Sequence, residues 1–369
     1  MSERPAEDDF RAAGLYDPAV DAGTGRLDLL RWLSEQGIAI DEMVDAHARL
    51  ALGALVGDRM LVPADLLTRL EAIERSRLAA ARFDALVTAF GFEPTGHSPA
   101  GEIGFADREI EALAVFDGLS SMFSESEALG LVRVVGAATN RIAEAAVSLF
   151  LNDVESPSLL SGASELELAH QTAEAVGLLD GLTEHLDAIL RRQIFQAIER
   201  TRRTMTGDVE RFVYRYAVGF VDLVGFTTLS GSMAAPDLAA FLRDFEARAQ
   251  DLASRSGARI VKLIGDEVMF AATDAAGGCR AALALMEGLD DDAVVPRGGV
   301  AYGDVLQRGG DYYGSIVNLA ARLVDEAVPG EVLVTEALAE VADGCRFEPA
   351  GRRMVKGFDE AVMVRTLVG

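Results

Sequence analysis

Two short stretches hold acids where the chain around them is apolar. In "YAVGFVDLVGFTTLS", Tyr216 to Ser230, Asp222 closes a run that reads as a buried β-strand, and no Lys, Arg or His lies within five residues of it. An unpaired carboxylate at such a place costs several kcal/mol, on the order of what breaking a buried pair costs. A solvated strand end or a helix N-cap would explain Asp222 alone. A second acid, Asp266 in "LIGDEVMF", follows a strand-like run directly, and "GD" there has the form of a hairpin tip. If the two strands are neighbours, the carboxylates meet and repel unless a cation lies between them. Open oxygen ligands of this kind suit Mg²⁺ or Mn²⁺.

The elements that must bring these acids together are legible from about Thr204 onward. "FVYRYAVGFVDLV", "RIVKLIG", "EVMFAAT", "RGGVAYGDVLQ", "GEVLVT" and "AVMVRTLV" read as strands. Helical patterns separate several of them: "APDLAAFLRDFEARAQDLASRSG", "DAAGGCRAALALMEGL" and "GSIVNLAARLVDEA". The order is the split βαββαβ of a ferredoxin-like sheet, in which the first and third strands are neighbours. Upstream, from about Gly25 to Arg203, apolar residues recur at spacings of three and four and alternating β-branched runs are scarce. "RLDLLRWLSEQGIAIDEMVDAHARLALGAL" is an example, with Gly37 as a helix stop. A helical bundle is expected there, broken by a loop in "EPTGHSPAGEIGF". The fold is therefore α+β overall. We divide it into a flexible tail at 1–24, a helical domain at 25–186, a helical linker at 187–209 and a mixed α/β domain at 210–369.

Composition narrows the function. The 369 residues are half apolar and one quarter charged, with a net charge of −25. Residues 1–200 hold 34 acidic and 16 basic side chains, and residues 201–369 hold 25 and 18. Such an excess of acid argues against nucleic-acid binding. Two cysteines, Cys279 and Cys345, make no disulfide framework. The start "MSERPAEDDF" lacks the layout of a signal peptide, and no apolar run of about 20 residues suggests a transmembrane helix. A cytoplasmic protein is expected.

Four stretches in order, "FVDLVGFTTLS", "KLIGDEVMF", "GDYYGSIVNLAARL" and "MVKGF", resemble the successive signatures of the class III nucleotidyl cyclases. The resemblance covers about 210–369, and the helical half resembles the regulatory half of soluble two-domain actinobacterial adenylyl cyclases. It implies that Asp222 and Asp266 bind two divalent metal ions. It implies that Lys262 and Asp311 read adenine, that Asn318 and Arg322 orient the ribose and stabilise the transition state, and that Lys356 meets the terminal phosphates. In this family sites form between two catalytic domains, so one chain carrying both sets implies a homodimer with two equivalent sites. The substrate would be ATP, cyclised to 3′,5′-cyclic AMP with release of pyrophosphate.

The chemistry fits these residue types. A lysine donor and an aspartate acceptor match the N1 and C6-amine edge of adenine and oppose that of guanine. Asn318 and Arg322 are four residues apart on an expected helix, so they share a face. Each residue also has an ordinary reading. Arg322 can pair with Asp325 or Glu326 at helical spacing, Lys262 can be a solvated strand residue, and a Lys-Gly turn such as Lys356–Gly357 is common. Asn318, in an apolar helical stretch, is expected to be a buried amide that needs partners. Two other functions stand beside the first: a guanylyl cyclase, and a catalytically silent cyclase fold acting as a nucleotide- or lipid-responsive interaction protein. Candidate inputs to the helical half are a fatty acid between its apolar faces, and pH, since all four histidines, His47, His97, His170 and His185, lie there. "RRQIFQAIERTRR" reads as a coupling helix, with a basic membrane-surface helix as the alternative.

Overall fold

The computed structural model describes residues 5–21, 23–62, 66–92, 104–204, 213–291 and 294–369. The chain divides into two compact units, Met1–Leu190 and Arg191–Gly369.

The first unit is helical. Its elements are α1 (Glu7–Ala12), α2 (Arg26–Glu35), α3 (Ile40–Ala48), α4 (Leu55–Leu61), α5 (Arg69–Ser76), α6 (Ala80–Phe90), α7 (Asp107–Asp117), α8 (Glu125–Phe150), α9 (Ser156–Leu160) and α10 (Glu165–Thr204), the last of which runs on into the second unit. The three-and-four spacing of apolar residues builds two separate cores. One gathers Leu29, Leu30, Leu33, Met43 and Ala169, and the other Phe83, Leu86, Leu113 and Val132. Gly37, with φ of 78°, ends α2 in the left-handed conformation that glycine adopts without strain.

One expected boundary meets a different structure here. The tail expected at 1–24 contains α1, because Phe10 is fully buried in the first core and anchors it. The helical linker expected at 187–209 is, as far as Thr204, the end of α10, and residues 205–209 lie outside the described residues. Residues 93–103 of the expected loop, with His97, lie outside the described residues. A helical run at Glu125–Leu160 is also long and apolar enough to cross a membrane by length and composition, with 6% of its apolar window buried. Arg133, Arg141 and Glu144 interrupt it, so the sequence there contains no unbroken apolar run of about 20 residues.

The second unit is an eight-stranded sheet with helices packed on it. Its strands are β1 (Val213–Val224), β2 (Ala258–Ile264), β3 (Glu267–Ala272), β4 (Val295–Arg308), β5 (Asp311–Tyr313), β6 (Val332–Thr335), β7 (Arg346–Arg353) and β8 (Val362–Val368). The order is β2-β3-β1-β4-β6-β8-β7, with β5 paired to β4. The first four strands have the expected ferredoxin-like order, and β1 pairs with β3 antiparallel as that order requires. Reading the sequence missed β5, which has three residues, and β7, whose "RFEPAGRR" is polar and carries a proline.

Five helices complete the unit: α11 (Phe226–Ser232), α12 (Ala235–Arg255), α13 (Ala275–Leu289), α14 (Ser315–Glu326) and α15 (Glu336–Ala339). One face of the sheet buries Ala217, Val221 and Phe270 against α12 and α13. The other buries Val218, Phe220 and Met269 with Leu319, Ala320 and Leu323 of α14. Alternation along β1 thus feeds both cores. Gly299 on β4 is required by this packing, because a Cβ there would collide with the Ala320 carbonyl of α14.

Candidate active site

Asp222 sits near the end of β1, where the register sets it between Glu267 of β3 and Arg297 of β4. The partner that the local sequence lacks comes from this pairing, 75 positions away. Arg297 donates from Nε and Nη2 to Asp222 Oδ2 at 3.1 and 3.0 Å. Asp266 occupies the turn from β2 to β3, and Gly265, with φ of 66°, lets the chain reverse there. The turn and the register place Asp266 and Glu267 beside Asp222.

The electrostatics record this crowding. Burial raises the Asp266 carboxyl above its ordinary range, and the neighbouring Asp222 adds to the effect, with Arg297 opposing it. Glu267 is pushed up to about 7, by burial first and then by Asp222, Asp325 and Asp266. One guanidinium therefore faces several acids. Among the described residues no group of three or more His, Cys, Asp or Glu is arranged to enclose a metal ion. Two carboxylates at an open sheet end instead fit Mg²⁺, which is held by one or two carboxylates while substrate phosphates and water complete its shell.

Lys262 of β2 and Asp311 of β5 form a second pair. Lys262 Nζ lies 2.6 Å from Asp311 Oδ2, and the Tyr312 N–H donates to Asp311 Oδ1 at 2.8 Å. The short β4–β5 hairpin makes this possible, turning through Gly309 and Gly310 at φ of 59° and 85°. Arg259 fixes the same turn, donating from Nη2 to the Gly310 carbonyl at 3.2 Å. Lys262 is thus a paired residue and not simply a solvated one.

Asn318 and Arg322 lie on the outer side of α14, opposite Leu319, Ala320, Leu323 and Val324, which are buried. Arg322 pairs with Asp325 at 3.2 Å, the ordinary helical pairing expected of it. Asn318 is exposed, which corrects the expectation of a buried amide. The apolar residues around it turn inward and leave position 318 outside. Lys356 is exposed in the turn between β7 and β8. The chain therefore brings Asp222, Asp266, Glu267 and Arg297 together, and Lys262 with Asp311, while Asn318, Arg322 and Lys356 face outward. Arg297 and Glu267 were not singled out from the sequence. The signal was the antiparallel β1–β4 and β1–β3 register, which the expected strand order contains.

Residues 213–367 match the adenylate and guanylate cyclase catalytic domain. An adenylate cyclase of Streptomyces coelicolor is 37% identical over 71% of this chain and 68% of its own length. An uncharacterized protein of Mycobacterium tuberculosis is 31% identical over 96% of this chain and 92% of its own. A Mycobacterium tuberculosis protein named a pH-sensitive adenylate cyclase is 30% identical over 93% and 88%.

The chain belongs to the class III nucleotidyl cyclases.

Within this cyclase the matched segment begins at the first residue of β1 and ends in β8, so it contains every candidate site residue. The two relatives from Mycobacterium tuberculosis extend the similarity over the helical unit as well.

Proposed function

We propose that the chain is an adenylate cyclase that converts ATP to 3′,5′-cyclic AMP and pyrophosphate. The observation that carries this reading is the Lys262–Asp311 pair, a donor from β2 and an acceptor from the β4–β5 hairpin held 2.6 Å apart. Adenine offers an acceptor at N1 and a donor amine at C6, so it replaces this salt bridge with two hydrogen bonds of matching sense. Guanine presents the reverse pattern, which leaves both groups unpaired on binding. Several relatives named adenylate cyclase support the same choice.

The nucleophile, the ribose 3′-OH, is already part of the substrate, so the enzyme's task is to fold ATP into a near-attack geometry. Asp222 and Asp266 would hold two divalent ions, Mg²⁺ or Mn²⁺, whose chemistry is to acidify the hydroxyl and neutralise the phosphates. Arg297, now on Asp222, is placed to turn its guanidinium to the triphosphate. Arg322 is a planar donor suited to the equatorial oxygens of a phosphoryl transition state, and Asn318, one turn earlier, holds the ribose. Lys356 meets the terminal phosphates.

The outward position of Asn318, Arg322 and Lys356 supports a homodimer in which they complete a partner's site. Mixing Asp222→Ala chains with Asn318→Ala chains should then restore part of the cyclic AMP formation seen with Mn²⁺, because a mixed dimer contains one intact site. Mixed dimers that form but stay inactive would refute the shared site. Absence of cyclic AMP from the unmodified chain would favour the silent interaction protein. The helical unit is proposed as the regulator, with pH as its input. His170 stands edge-on to Trp32, with ring centroids 4.5 Å apart, and His47 Nδ1 lies 3.2 Å from Arg26 Nη1, which belongs to the same guanidinium that pairs with Glu165. Protonating either imidazole changes the packing at the start of α10.

A further inference from the structure

A cavity of about 600 Å³ lies entirely within the second unit, between the last turns of α10 and the sheet. Four arginines line it: Arg192, Arg200 and Arg203 of α10, of which Arg192 and Arg203 are solvent-exposed, and Arg259 of β2. In a chain with 59 acidic and 34 basic residues, acids are available to pair with arginines almost anywhere. Yet among the described residues Arg192, Arg200 and Arg203 form no ion pair. The one carboxylate in the lining, Glu199, is taken by Arg202, 2.7 Å away. Arg259 also has a buried Nε with no hydrogen-bond partner, although its Nη2 is occupied at Gly310.

A basic last turn complements the negative end of a helix dipole, and that accounts for Arg203 and partly for Arg200. It does not account for Arg192, three turns earlier, or for Arg259, which is on another element. Like charges converging on one cavity raise one another's energy unless an anion joins them. We infer that this cavity is a binding site for a small phosphate-bearing anion carrying several charges, of polyphosphate or nucleotide size. One carboxylate would neutralise a quarter of the arginine charge, whereas a polyphosphate offers several oxygens to planar forks that suit them. The volume is in the usual range for small-molecule sites, roughly 300–1,000 Å³.

Arg259 gives the site a route to the hairpin that carries Asp311. Its guanidinium lies 5.1 Å from the centre of the Tyr312 ring and also holds the Gly310 carbonyl, so it grips both neighbours of Asp311. An anion on the free Nε leaves the Gly310 contact in place and immobilises the side chain that makes it. Occupancy should therefore steady residues 310–313. Anion binding does not depend on Asp311 reading adenine, so the two readings can fail separately.

The test uses the full chain in EDTA, which suppresses metal-dependent phosphate binding at Asp222 and Asp266, with inorganic tripolyphosphate titrated by calorimetry. Binding should weaken at least about tenfold, or about 1.4 kcal/mol, in Arg200→Gln/Arg203→Gln. It should persist in Arg297→Gln/Lys356→Gln, which removes the groups proposed to meet the triphosphate chain in the catalytic site. Thermal unfolding of each variant without ligand separates lost binding from lost fold, and Arg259→Lys, which keeps the charge but loses the fork, provides a milder second variant that should also weaken binding. Amide exchange at residues 310–313 should slow on adding tripolyphosphate. Equal affinity in the Arg200/Arg203 variant, loss of binding in the Arg297/Lys356 variant, or equal competition by sulfate at matched ionic strength would overturn the site. So would binding to phosphatidic acid vesicles without binding to soluble tripolyphosphate. Unchanged exchange at the hairpin in the bound chain would overturn the link to Asp311.

Discussion

The two charged groupings of the cyclase unit differ in how complete they are. Lys262 and Asp311 satisfy each other, and the hairpin beneath them is held by Arg259 and the Tyr312 N–H. At the ends of β1 and β3, Asp222, Asp266 and Glu267 share one guanidinium, and burial and mutual repulsion raise two of the three carboxyls. The first grouping is shaped for a neutral ligand that exchanges hydrogen bonds with it. The second requires added positive charge. On the proposed reading the first sets selectivity and the second reactivity, and substitutions should affect the two separately.

The largest effect should come from the acids. Asp222→Ala and Asp266→Ala should each lower cyclic AMP formation by at least about 10³-fold, since metal ions contribute several kcal/mol to such transition states. Their stabilities should diverge. Asp266→Ala relieves repulsion and should raise the melting temperature of the metal-free chain, whereas Asp222→Ala leaves the half-buried Arg297 without its partner and should lower it. Identical shifts would mean that Arg297 draws nothing from Asp222.

Asn318→Ala and Arg322→Ala should lower kcat by about 10²–10³ each, with a modest change in KM, the scale for losing one transition-state donor. A rise in KM with kcat preserved would make them binding residues only. Replacing Lys262 by Glu together with Asp311 by Cys should reduce kcat/KM for ATP more than for GTP. Equal losses would show that the pair does not read the base.

The smallest effect concerns pH. Glu267 titrates at about 7 in the folded chain against an ordinary value of 4.5. Between those values the folded state keeps a proton that the unfolded state has lost, so this carboxyl favours folding most below about 4.5 and progressively less as pH rises to about 7. Metal-free Glu267→Gln should show a flatter decline in melting temperature across that window than the unmodified chain.

Much of this arrangement was legible before the fold was known, and the reason is local. Strand and hairpin patterns placed Asp222 and Asp266 at adjoining ends of a ferredoxin-like sheet, since "GD" between two apolar runs has few other forms. What escaped reading was set by pairing between distant strands. Arg297 is an unremarked residue in "VPRGG" until the β1–β4 register sets it opposite Asp222. The outward position of Asn318 depends on which side of α14 the sheet covers, and the apolar residues on both sides of it in sequence conceal that. In the helical unit the three-and-four spacing gave helices but not their grouping into two cores. The burial of Phe10 could not be read from an acidic, polar start that resembles a tail.

Gly299 has a mechanical consequence. Because α14 rests on bare backbone there, with the Ala320 carbonyl where a side chain would be, strand and helix have no compressible layer between them. Asn318 and Arg322 flank Ala320 on the helix, and Arg297 lies two residues from Gly299 on the same face of the strand. Any input that tilts α14 must therefore carry Arg297 with it, so the residues proposed to complete the partner's site move together with the arginine beside this chain's own Asp222. On the proposed homodimer these groups serve different sites, so a graded signal reaching this joint would couple the two sites to each other, with neither altered alone.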